Sequence, residues 1–287
     1  MAFVYQFIGR PATGLDLMNV IRDCLVSAGW TLLREYTDAS GNAFKFLQTA
    51  PYTMPDNSEA GKAVLELRNL AGTQHVDLKM WSSWDSQNNV PVGPNCPDAF
   101  NGSYLRLSYS YQSGLYYWLY ANEYWFALLE TNNTGGPPYS GSSHKTIAGQ
   151  ALPPAGIPSA PPYKALFVAS PYNTAGSMID AGGGTNFLIH GGFRTVFVAL
   201  ATHTGTNWWS NFQPPGGFLP AAYVGHPDLP PILLPLYLHG HGIIPYAYFT
   251  SSSTTPMGVY VRIGNEIWVP IIAGSGGGYG QIWARVA

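Results

Sequence analysis

The sequence predicts a mainly β protein: an N-terminal α+β domain, one helix on an antiparallel sheet, followed by an all-β antiparallel sandwich-like domain. Three observations carry that prediction. The 287 residues include 33 Gly and 24 Pro, which break helices, and 14% aromatics, which suit pleated surfaces. Apolar residues recur at helical spacing over one stretch near the N-terminus. Elsewhere short runs alternate with period two between Gly- and Pro-rich turns.

The helix starts at Thr13, whose hydroxyl can cap it, with Asp16 acidic near the positive end of the dipole. Leu17, Val20, Ile21, Cys24, Leu25 and Ala28 form its apolar face, and Gly29 stands where a left-handed stop is wanted. Stretches 30–36 and 43–49 then flank a turn at 38–41, and 63–69 and 75–81 flank Ala71-Gly72-Thr73, so each pair reads as an antiparallel hairpin. Residues 83–103, rich in Asn, Pro and Gly, read as a long loop before strands at 104–110, 116–121 and 124–130. Side chains over 116–129 are almost all large and apolar, the pattern of strands buried on both faces.

Residues 132–163 are dense in Pro and Gly with little apolar periodicity, and are expected to be an irregular linker between separately folding units at 1–131 and 164–287. Beyond it strands are expected at 165–169, 187–190, 195–201, 233–239, 244–249, 259–263, 266–272 and 281–286. Gly264-Asn265 between two of them marks a tight hairpin.

Charge excludes some functions. Charged residues make up 10% of the chain against about 25% in an ordinary soluble domain, and 18 of the 28 lie in 1–106. With net charge −2 and no Lys/Arg cluster, the electrostatic attraction that supplies most nucleic-acid affinity is missing, so no nucleic-acid partner is expected. No apolar run reaches the roughly 18 residues of a membrane span, and the first ten residues lack the pattern of a secretion signal, so a soluble chain made in a cytoplasm is expected. Cys24 and Cys96 are too few for a framework of bridges or a four-cysteine zinc site, and both read as free thiols.

No catalytic constellation emerges. Gly-x-Ser-x-Gly on a strand-to-helix turn does not occur, and the glycine runs 182–184 and 276–278 precede neither a helix nor a Lys. A glycosidase in the second region would have to draw its carboxylate pair from Asp180, Asp228 and Glu266, a poor set. Trp208, Trp209 and Tyr223 are the candidate binding residues, and with Trp81 and Trp84 they are rings on which sugars or bases could stack. Packing in a core or against a neighbouring subunit is the plainer use of them. His239 and His241 are weak metal candidates: three copies around a threefold axis would offer six nitrogens, whereas two unrelated loop histidines need no metal. No cofactor is expected.

The hairpin Tyr116-Tyr117-Trp118-Leu119-Tyr120-Ala121-Asn122-Glu123-Tyr124-Trp125-Phe126-Ala127-Leu128-Leu129 resembles one in tailed-bacteriophage virion structural proteins, in which an aromatic strand reaches a short Ala-Asn turn and returns as an apolar strand. The opening helix followed by Trp30 is similar to theirs, as is the C-terminal pattern Gly264-Asn265-Glu266-Ile267-Trp268-Val269-Pro270 with Ile282-Trp283-Ala284-Arg285-Val286 after a glycine-rich loop. The chain departs from that pattern at 131–138, which is neutral and proline-rich. The resemblance implies a non-enzymatic component of a virion tail, baseplate or tail tip, assembled in the host cytoplasm, whose partners are other virion proteins and copies of itself. A carbohydrate-binding module of a tail fibre that contacts host surface glycan, or a capsid decoration or neck protein, are the alternatives.

Overall fold

The computed structural model describes residues 2–51, 62–96, 104–108, 116–131, 145–151, 165–169, 172–173, 186–191, 195–199, 234–238, 242–250, 260–273 and 281–287. Strand β1 (Val4–Gly9) precedes the one helix of this set, α1 (Gly14–Ser27). Thr13 caps α1 reciprocally: its hydroxyl accepts the Asp16 amide at 3.0 Å while the Asp16 carboxylate accepts the Thr13 amide at 3.1 Å. At the other end Gly29 takes φ +100, which lets its own amide reach the Val26 carbonyl and the Trp30 amide reach that of Leu25.

Six strands follow in the first part of the chain: β2 (Thr31–Thr37), β3 (Ala43–Gln48), β4 (Val64–Asn69), β5 (Val76–Asp85), β6 (Val90–Cys96) and β7 (Leu105–Ser108). The hairpins expected at 30–49 and 63–81 are β2–β3 and β4–β5. The expected loop at 83–103 is in part a strand. There β5 runs on to Asp85, whose carboxylate accepts the amides of Gln87 and Asn88 and turns the chain back into β6.

The remaining strands are β8 (Tyr116–Ala121), β9 (Trp125–Thr131), β10 (Lys145–Ala151), β11 (Ala165–Ala169), β12 (Tyr172–Asn173), β13 (Asn186–Gly191), β14 (Thr195–Ala199), β15 (Leu234–Leu238), β16 (Gly242–Thr250), β17 (Val261–Ile263), β18 (Glu266–Ala273) and β19 (Gln281–Arg285). They complete three antiparallel sheets. The first runs β12-β7-β5-β4-β3-β2 with β6 beside β5, the second β1-β8-β9-β10-β11-β13-β14, and the third β15-β16-β19-β18-β17. Between β17 and β18 the Gly264-Asn265 turn forms as expected, with Gly264 alone taking positive φ.

The segment 132–163, expected to be irregular and partly extended, contains β10, paired with β9 on one side and β11 on the other. The second sheet thus takes strands from before, within and after that segment.

Period-two alternation gives the second sheet two buried faces. Tyr117, Leu119, Ala121, Phe126, Leu128 and Ala148 face a core shared with α1 and with Leu47, Leu65, Leu67, Leu78 and Met80 of the first sheet. Tyr120, Trp125, Ala127, Leu129 and Ile147 face Ile244, Ala247, Val269, Ile271 and Ala284 of the third. At the β8–β9 turn Asn122, fully buried, ties these layers together. Its side-chain oxygen accepts the amides of Tyr124 (2.9 Å) and Trp125 (3.0 Å), its NH2 donates to the Tyr120 hydroxyl (3.0 Å), and its carbonyl accepts Trp30 Nε1 (2.7 Å). The Pro245 carbonyl accepts Trp125 Nε1 at 2.6 Å, and the next residue, Tyr246, sits at φ +58, a strained conformation for a bulky side chain.

Candidate functional site

The candidate binding residues Trp208, Trp209 and Tyr223 and the weak metal candidates His239 and His241 lie outside the described residues, as do Asp180, Asp228 and both glycine runs. Glu266 is described: it begins β18 and accepts Arg285 Nη1 at 2.5 Å, an ion pair across neighbouring strands. Among the described residues no three His, Cys, Asp or Glu side chains gather as a metal site. None of their helices is long and apolar enough to cross a membrane.

Among the described residues, the two most exposed large apolar side chains, Phe7 and Tyr260, belong to an aromatic strip at the outer edge of the second sheet. In β1 the even residues Val4 and Ile8 turn toward the core beneath α1, and Gln6 donates to the Cys24 sulfur at 2.7 Å. The odd residues Tyr5 and Phe7 therefore project from the other face. Tyr5 stacks on Trp118 of β8 with ring centroids 5.0 Å apart, and Phe7 meets Trp118 at 5.3 Å and Tyr116 at 6.0 Å. Tyr260, just before β17, touches Tyr5 edge-on at 5.9 Å. Phe7 is 47% exposed and Tyr260 56%, and β1 has β8 on one side only among the described strands. Composition alone gave no pointer to these residues. The alternation of aromatic and β-branched residues in Phe3-Val4-Tyr5-Gln6-Phe7-Ile8 was the signal that could have found them.

A second aromatic surface lies on the face of the first sheet that turns away from α1. Tyr36 stacks on Phe44 at 5.0 Å beneath the Arg34 guanidinium at 4.4 Å, and Phe46 meets Trp84 at 5.4 Å. Beside them is a group of four charged residues, Glu66, Arg68, Asp77 and Lys79. Glu66, buried, accepts Trp81 Nε1 at 2.7 Å and the Tyr104 hydroxyl, so both of its oxygens are engaged. Arg68 lies 3.6 Å from the Tyr104 ring centroid and pairs with Asp77 at 3.1 Å. Burial, reinforced by Glu66, pushes the Tyr104 phenol far above its usual range and keeps it a donor. Burial lowers the Lys79 ammonium, against the pull of Glu66 and with the help of Arg68. Trp81 and Trp84, proposed from sequence as stacking rings, are both in this group and both partly accessible. The arrangement holds rings and charges in fixed positions, which suits recognition.

No known family model matches the chain, and no curated protein matches it.

Proposed function

We propose that the chain is a structural component of a tailed-bacteriophage virion, in its tail, baseplate or tail tip, working through protein contacts in a symmetric assembly and without turnover chemistry. The observation that supports this reading best is the partly exposed strip of Tyr5, Phe7, Tyr116, Trp118 and Tyr260 on a strand edge that bears no charge. Interfaces are enriched in aromatics and depleted in Lys, Glu and Asp, and a chain with 10% charged residues fits burial between subunits better than life as a free monomer. The partners in this reading are other virion proteins and further copies of the chain.

The test is the protein composition of purified particles from cells that express the chain during infection. Its presence in intact particles at a fixed number of copies is expected, and its absence from them overturns the reading. A glycan-binding module is the second reading, favoured by the Tyr36, Phe44, Trp81 and Trp84 surface with its fixed Glu66 carboxylate, since sugars stack on rings and bond to held polar groups. Binding of the purified chain to a glycan array, lost on Trp84→Ala, distinguishes it.

A further inference from the structure

We propose that the edge of β1 receives the same edge of a second copy of this chain, antiparallel about Gln6, an interface that rests on the assembly reading above. Edge strands present unpaired amides and carbonyls, and proteins that stay monomeric blunt them with charge, proline, bulges or brevity. Among the described strands most other sheet edges are blunted in these ways, β12 by having only two residues. β2 has Arg34 and Glu35 and a break in register between Leu32 and Arg34; β15 contains Pro235; β17 has three residues, one of them Arg262; β6 contains Pro91 and Pro94. β1 has neither charge nor proline, and its one irregularity falls at its end, between Phe7 and Gly9. β14, the far end of the same sheet, is also uncharged, but the chain that follows it, 200–233, lies outside the described residues.

The geometry favours a second copy over an unrelated strand. Twofold pairing sets each edge residue against one from the same strand, so any charge near the axis would face its own like. β1 meets that condition over its whole length. Pairing about Gln6 sets Tyr5 of one copy opposite Phe7 of the other and Val4 opposite Ile8, so the aromatic strip continues across the axis and so do the residues that face the core. Aromatic side chains bury about 150–250 Å² each, so Phe7 at 47% and Tyr260 at 56% exposed offer together roughly 150–250 Å² per copy. A stable complex buries about 800 Å² per partner, so the pair is weak in dilute solution and is reinforced where neighbours already hold the copies together.

The test uses the full chain in sedimentation equilibrium at concentrations up to about 1 mM, with amide hydrogen exchange at both ends of that range. A reversible dimer is expected, with the amides of Val4–Gly9 better protected at high concentration. Phe7→Lys is expected to weaken dimerisation at least about tenfold while far-UV circular dichroism and the thermal midpoint stay as in the parent. A monomer throughout, self-association that Phe7→Lys leaves unchanged, or exchange in β1 that ignores concentration each overturns the proposal. If Phe7→Lys fails to fold, the exchange comparison on the parent chain decides alone. A chain present in particles yet monomeric with an open β1 sinks this pairing and leaves the assembly reading standing; absence from particles does the reverse.

Discussion

Trp118 and Trp125 belong to one hairpin and differ in what surrounds them. Trp125 is fully buried between the second and third sheets and donates to the Pro245 carbonyl, whereas Trp118 is half-buried under Tyr5 and Phe7. Trp125→Ala should therefore cost about 3–5 kcal/mol in urea denaturation, as for a large ring removed from a core. Trp118→Ala should cost less, about 1–2 kcal/mol, because the ring is only partly buried and lies against other surface rings. Equal losses would mean that the strip is a closed core. Cys24 gives a pH-dependent counterpart. Burial, with Asp23 nearby, pushes its thiol up to about 11 from an ordinary value of 9.0. Between those values the unfolded chain releases a proton that the folded chain keeps, so stability falls as pH rises from about 9 toward 11. Cys24→Ala should flatten that slope whatever it does to stability at pH 7; denaturation midpoints at pH 8, 9 and 10 measure it.

Among the elements, the β8–β9 hairpin shows what its sequence pattern is for. An aromatic strand, Ala121-Asn122 and an apolar return place one amide side chain where three layers meet, and Asn122 satisfies groups that no water reaches. Asn122→Ala leaves the amides of Tyr124 and Trp125 without that acceptor, at about 1–3 kcal/mol for each group left unpaired. A loss below about 1 kcal/mol by urea denaturation would show that those amides find other partners. The same elements show what was legible. α1 and the hairpins β2–β3, β4–β5, β8–β9 and β17–β18 were readable because caps, turn residues and alternation agree. β6 was not, since Pro91, Gly93 and Pro94 speak against a strand; among the described strands it pairs with β5 at the side of its sheet and packs against β11 and β13. β10, Lys-Thr-Ile-Ala-Gly-Gln-Ala, has almost no apolar alternation; its two neighbours bury it, and Gly149 leaves room for Trp125 opposite. Nothing local encodes that. Of the candidate surface, Trp81 and Trp84 were named from sequence, whereas Tyr5, Phe7 and Tyr260 become a strip only when β1, β8 and the start of β17 come together.

At the scale of the molecule, the Pro/Gly-rich stretch suggested two separately folding units, and the layers argue for one. The second sheet takes strands from both sides of 132–163, and its outer core joins Tyr120, Trp125 and Leu129 to Ile244, Val269, Ile271 and Ala284. A unit ending at 131 would leave that apolar face in water, and a unit beginning at 164 would lose the surface on which its own last sheet packs. Asn122 adds a polar reason, since its NH2 reaches toward the Pro245 carbonyl at 3.5 Å, and the Tyr120 hydroxyl donates to the Arg285 carbonyl at 3.0 Å. Separation would strand these groups. The full chain should accordingly unfold in one transition, with tryptophan fluorescence and far-UV circular dichroism giving the same urea midpoint. A fragment of residues 1–131 should bind a hydrophobic dye or aggregate, because its exposed sheet face is almost wholly apolar. Two resolved transitions together with a soluble, cooperatively folded fragment would show that the stretch is a true boundary and that the shared core adds little to stability.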